Sequence, residues 1–178
     1  MVRVRQPGLL LGEWACLAAL AQGRLHGFAV ARRLSPTGDL GRVWTMSRPL
    51  TYRAIATLHE MGMIRSAGEE SSEGGPTRVV WILTPKGRAA LRRWLAEPVS
   101  HPRDVRSELL LKIVVCDLMG IDRDGLVADQ LERFELQRAA RLDELIDAPT
   151  DPVRVWRVEF ADAALAFLRA VRVHATHG

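Results

Sequence analysis

Residues 47 to 64 read SRPLTYRAIATLHEMGMI, and the fold is decided by how that stretch is read. Ser47 suits an N-cap, since its short hydroxyl can accept from a free helical N–H, and Pro49 suits the first turn, where a missing N–H costs nothing. Gly62 suits the position after the last turn, where a left-handed φ is favoured. The spacing predicts a helix that starts near Ser47 and ends at Met61. At 100° per residue, Ile55, Leu58 and Gly62 share an inward face while positions 49, 53, 56 and 60 point away from it. That outward side carries Arg53, with Arg48 at the helix start and Tyr52 and Thr57 on its flanks.

On the N-terminal side two more helices are expected. The first places Leu10, Trp14, Leu17 and Leu20 or Ala21 on one face; the second carries Phe28, Val30, Ala31 and Leu34 and ends before Pro36. Gly23 and Gly27 bracket a tight corner between them, and Ser35 to Arg42 reads as a loop. On the C-terminal side the period changes. Met63 to Glu69 can form a strand, ESSEGGP (70–76) a tip, and TRVVWIL (77–83) a returning strand rich in branched and aromatic residues. Thr84 and Pro85 then cap a further helix with Ala89, Leu91, Trp94 and Leu95 as apolar positions. Three helices followed by a β-hairpin make a winged helix-turn-helix.

Beyond Pro98 and Pro102 the chain reads as helix throughout. Residues 104–119 hold Leu109, Leu110, Ile113 and Val114. Residues 122–147 form a long charged helix with Val127, Leu131, Phe134, Leu142 and Leu145 near coiled-coil spacing, and a last helix spans 153–173. In that last helix Trp156, Phe160, Ala164, Phe167 and Val171 lie along one line, with Val158, Leu165 and Leu168 off it. A helix apolar on two faces wants neighbours on two sides, which points to a homodimer. The expected fold class is therefore mainly α, with a winged helix-turn-helix domain carrying a two-stranded wing over residues 1–98 and an all-α dimerisation domain over 99–178.

Charge supports this division. Of the 178 residues, those up to 98 hold 14 Lys and Arg against 7 Asp and Glu, a balance of +7, whereas 99–178 hold 11 against 14, a balance of −3. A basic half beside an acidic one suggests a polyanion-binding module joined to a part with another task. Arg3, Arg5 and the apolar run Leu9 to Leu20 imitate a secretory signal, but Glu13 interrupts the run and the segment reads equally well as a helix. Cys16 and Cys116 lie singly in apolar patterns, as buried free thiols do. No apolar run is long enough for a membrane span. The expected location is the cytoplasm.

The residues also resemble one family, the PadR-type transcriptional regulators. The motifs are Leu25-His26-Gly27-Phe28, then Ser47 to Tyr52 with Leu58 and Gly62-Met63-Ile64, and finally Gly74-Gly75-Pro76 through Leu83-Thr84-Pro85-Lys86-Gly87-Arg88. Arg106 to Lys112, followed by long helices, is similar to the larger, virulence-activator-like subgroup, in which that part dimerises. The resemblance implies operator binding as a dimer, with many members acting as repressors released by small molecules. Two departures stand out. Where the family shows Gly-Thr-Leu-Tyr this chain has Pro49-Leu50-Thr51-Tyr52, so Thr51 takes a core Leu position, and the wing carries Arg78 as its one cation after Gly-Pro, followed by Val79 and Val80.

Within such a domain Arg53 is expected to read bases, since an Arg can pair with both acceptors of a guanine edge. Ser47, Arg48, Tyr52, Thr57, Arg32 or Arg33, Thr77 and Arg78 are expected at phosphates. Leu131, Phe134, Leu142, Leu145, Trp156, Phe160 and Phe167 are the expected dimerisation residues, and Trp156 is the candidate lining residue of an aromatic effector pocket. His26 reads as structural, and His174 and His177 as a polar tail. Neither metal nor cofactor is expected.

Three function classes follow. A dimeric regulator of double-stranded DNA, open to a small-molecule effector, leads. A winged helix used only as a protein-interaction module is the alternative, against which the +7 half argues. Enzyme is the weakest, because the sequence has no glycine-rich phosphate loop, no HExxH and no close set of His, Cys and carboxylate.

Overall fold

The computed structural model describes residues 8–71 and 77–175. The Arg3 and Arg5 of the signal-like segment, the Gly74-Gly75-Pro76 tip and His177 lie outside them, as does the side chain of His174. Packing divides the chain into two units. One holds the described residues up to Leu95 together with Leu110–Ile121, the other Ala96–Leu109 and the residues from Asp122 onward.

In the first unit α1 (Leu11–Leu20) is followed by β1 (Leu25–His26), α2 (Gly27–Arg33), α3 (Arg48–Glu60), β2 (Ile64–Glu70), β3 (Arg78–Leu83), α4 (Pro85–Ala96) and α5 (Leu110–Met119). The expected amphipathic first helix is instead buried on every side from Trp14 to Leu20, which explains why its sequence imitates a secretory core. Glu13, the residue that breaks the imitation, accepts a hydrogen bond from the Leu10 N–H at 2.6 Å and so caps the helix start. Burial, and secondarily Glu13, push the Cys16 thiol up to about 12, so it serves as a small apolar core residue.

The winged arrangement is present with one addition. β1 joins the hairpin, giving a three-stranded antiparallel sheet in the order β1-β3-β2, with Leu25 opposite Trp81 and His26 opposite Val80. Two residues are too few for a sequence period to reveal, and they had read as a turn. At the end of α3, Gly62 takes φ +67°, the Gly62 N–H donates to His59 O and the Met63 N–H to Leu58 O, both at 2.9 Å. This Schellman closure turns the chain straight into β2. Thr84 accepts from the Gly87 N–H at 3.1 Å and so caps α4 as read, although Ala90 rather than Ala89 faces inward.

Trp14 and Trp94 stack at 5.1 Å in the core of this unit, and the buried Lys112 lays its ammonium 5.0 Å from the Trp94 ring centre. Leu111, Val114 and Val115 of α5 belong to the same core. A cut after residue 98 would thus separate α5 from the helices against which it packs.

In the second unit a 3-10 turn (Pro102–Asp104) and a π turn (Val105–Leu109) precede two helices of 24 residues, α6 (Asp124–Asp147) and α7 (Pro152–Ala175), which pack on each other as a hairpin. At ~1.5 Å per residue each is about 36 Å long. The inward stripe of α6 is Leu126, Val127, Leu131 and Phe134 around a buried Gln130, and that of α7 is Val158, Ala161, Ala164, Leu165 and Leu168. The Gln130 amide imitates a strand partner: its Oε1 accepts from Val99 N at 2.7 Å and its Nε2 donates to Val99 O at 3.1 Å. No described helix is long and apolar enough to cross a membrane.

Candidate nucleic-acid interface

α3 presents its two faces as the spacing predicts, except that Gly62, expected inward, lies beyond the helix end and is exposed. Thr51, Ala54, Ile55 and Leu58 are buried, while Arg48, Tyr52, Arg53 and Ala56 are exposed. Thr51 fits the core position because its hydroxyl donates to Ser47 O at 3.0 Å, leaving only the methyl group toward the core. Ser47 is exposed at the N-cap and makes no capping hydrogen bond through its side chain. Arg53 has neither a hydrogen bond nor an ion pair among the described residues, so its guanidinium donors are open to solvent.

The second helix and the sheet complete the surface. The ring of Tyr52 lies against Gly27, where a Cβ would stand 2.5 Å from Cε1, so only glycine admits this approach. His26 caps α2, its Nδ1 accepting from Ala29 N at 3.0 Å, which is a structural role. Phe28, read from the sequence as core, is 36% exposed. The guanidinium of Arg48 lies 4.7 Å from its ring centre and that of Arg78 5.6 Å. Thr77 and Arg78 are exposed at the wing and Thr57 is half-buried. Together α2, α3 and the wing enclose a concavity of about 490 Å³, lined by Phe28, Tyr52, Ala56, His59, Arg78 and Trp81 among others.

One expected phosphate ligand has to be corrected. Arg33 donates through Nε and Nη2 to the carboxylate of Asp39, at 2.5 to 3.2 Å, and through Nη1 to Ala19 O at 2.7 Å. With 15% of its side chain exposed, it ties the loop after α2 to α1, and three of its five N–H donors are committed to the fold. Its neighbour Arg32 is exposed and keeps the role open. The Arg33 guanidinium in turn holds the Asp39 carboxyl below the usual range, chiefly by hydrogen bonding. The outer wing strand runs against the basic trend, because Glu69 and Glu70 are exposed and Glu70 stands opposite Arg78.

In the second unit, two of the expected dimerisation residues need the same correction. Leu131 and Phe134 are buried within the unit, on the α6 stripe, and offer nothing to a second copy. Leu142, Leu145, Phe160 and Phe167 are half-buried. Along the line through Trp156 exposure is uneven: Ala164 is buried, whereas Trp156 is 64% exposed and stacks on Phe160 at 5.6 Å, and Leu136, Ile146 and Val153 are further exposed apolar side chains of the hairpin. Trp156 also lines a groove of about 580 Å³ with Arg103, Arg141, Val153, Arg157 and Phe160.

The residue the sequence reading missed is Phe28. A signal was present, since Gly27, Val30, Ala31 and Leu34 form the buried stripe of α2 and leave Phe28 one position off it. Seven residues give too little phase to see this unaided.

A three-stranded sheet whose hairpin flanks an exposed, cation-bearing helix, with a capped short helix before it, defines a winged helix-turn-helix domain. Residues 16–93, somewhat under half of the chain, match the model of the transcriptional regulator PadR-like family. "Probable transcriptional regulator Rv1176c" of Mycobacterium tuberculosis is 31% identical over 96 residues, 54% of this chain and 49% of that protein. The match thus spans about half the length of that relative. Among solved structures, Bacillus subtilis PadR in complex with operator DNA is similar with a TM-score of 0.49 at 20% identity, over 93% of this chain and 99% of that one. The Vibrio cholerae virulence activator AphA is similar with a TM-score of 0.40 at 19% identity, over 93% and 98%.

Proposed function

We propose that this chain is a cytoplasmic, sequence-specific regulator of transcription that binds an inverted-repeat operator in double-stranded DNA as a homodimer. It acts as a repressor, and a small-molecule effector alters its operator affinity. The observation that carries the reading is the convergence of Arg48 from α3 and Arg78 from the wing beside the exposed Tyr52, with Arg53 exposed on the same helix. Open donors at a helix N-terminus suit base edges in a major groove, and the surrounding cations and hydroxyls suit phosphates. Arg53 reads bases; Ser47, Arg48, Tyr52, Thr57, Arg32, Thr77 and Arg78 hold the backbone.

The second unit supplies the dimer. Leu136, Ile146, Val153 and Trp156 form exposed apolar surface on a hairpin whose core is already filled, which is the kind of surface a second copy covers. The effector acts by binding one arrangement of the two copies better than another, since only differential affinity shifts an equilibrium. The groove beside Trp156 has room for it.

A gel-shift competition with fragments of the chain's own upstream region, in about 150 mM salt to suppress non-specific binding, tests the reading. One fragment should be retained against excess random DNA. A protein that shifts all fragments alike, or none, would be an interaction module rather than an operator-binding regulator.

A further inference from the structure

Phe28, the second residue of α2, has its ring at the surface beside the ring of His26 at 6.2 Å, and two guanidinium groups approach it from elsewhere in the chain: Arg48 from the start of α3 and Arg78 from the wing. The two distances place the guanidinium groups within about 10 Å of each other, the range over which like charges still repel at ~0.1 M salt. Arg78 also stands opposite Glu70 in the β2–β3 register, an acid able to draw it away from α3. An aromatic face opposes both tendencies, because its negative quadrupole attracts guanidinium groups and lets them lie over it.

We infer that Phe28 is a positioning residue for DNA recognition: its ring clamps Arg48 and Arg78 into one pair of anion ligands, so that α3 and the wing meet the phosphate backbone as a unit. This rests on reading the surface as DNA-binding. The clamp gives the wing, which has few cations of its own, a fixed relation to the recognition helix. Side-chain bulk alone would not do this, so leucine should fail at position 28 where tyrosine succeeds.

The test uses the full chain and fluorescence anisotropy, on the preferred upstream fragment and on a shuffled duplex. Phe28→Leu should weaken binding to the preferred fragment about five- to tenfold, the scale of two exposed cation–π contacts, and Phe28→Tyr should stay close to wild type. In a background of Arg48→Ala with Arg78→Ala, Phe28→Leu should add almost nothing, because no cation is left to position. With the ring in place, Arg48→Ala and Arg78→Ala together should cost less than the product of their single effects, a comparison that holds whether or not leucine disturbs the fold. Wild-type affinity in Phe28→Leu, an undiminished loss in the double-alanine background, or strict additivity of the two arginine variants would overturn the clamp while leaving DNA binding intact. If the wild type preferred no fragment, the DNA reading would fail and the clamp with it.

Discussion

Arg33 and Arg53 show how differently two arginines of one domain can be used. Arg53 is exposed on the outer face of α3, without a partner among the described residues, so Arg53→Ala should lower operator affinity by about 1–3 kcal/mol while leaving binding to random DNA nearly unchanged. Equal losses on both, measured by parallel titrations, would make it a backbone contact. Arg33 serves the fold instead. Asp39 has its carboxyl pKa depressed by Arg33, so the pair's stabilisation is fully present above the ordinary carboxylate value and is lost as pH falls through the lower folded value. Because the Asp39 side chain is 39% exposed, solvent screens the pair, and Asp39→Asn should cost about 1 kcal/mol at pH 7. Urea unfolding should show that difference closing below about pH 4, near the unfolded carboxylate pKa. A difference that persists at low pH would mean that the ion pair is not its source.

At the level of elements, legibility followed length and periodicity. α3 was readable from end to end because a proline in the first turn, a phased apolar stripe and a closing glycine agreed, although the Ser47 hydroxyl at the N-cap makes no capping hydrogen bond. β1 was too short to carry a period, and α1, apolar on every side, had no phase to read. In α6 and α7 the apolar positions were found but their direction was not. The spacing that suits a seam between two copies suits equally the seam within one hairpin, and Leu131 and Phe134 went to the latter. Gln130 is not legible in the sequence, because a polar residue on a long helix reads as solvated, whereas here it pairs with the Val99 backbone in a buried position. Gln130→Leu would leave that N–H and C=O buried and unpaired, so it should destabilise the chain by about 1–3 kcal/mol for each group that water cannot reach. Chemical denaturation checks this, and a neutral result would show that the connector at Val99 opens to solvent without penalty.

In the proposed reading the basic half of the molecule faces DNA and the mildly acidic helical half holds two copies together. Ile146→Asp with Trp156→Asp places charges on side chains 75% and 64% exposed, so each chain should keep its fold while self-association weakens. Light scattering should then report a shift from dimer toward monomer and gel shifts a parallel loss of operator affinity; an unchanged mass would place the dimer contact elsewhere. The measurement that bears most directly on the central claim, that paired α3 helices read duplex DNA, is a hydroxyl-radical footprint on the preferred upstream fragment. The account predicts two protected half-sites of an inverted repeat, centred one helical turn or about 34 Å apart, with both weakened by Arg53→Ala. A single protected patch without two-fold symmetry, or protection that ignores Arg53, would contradict it.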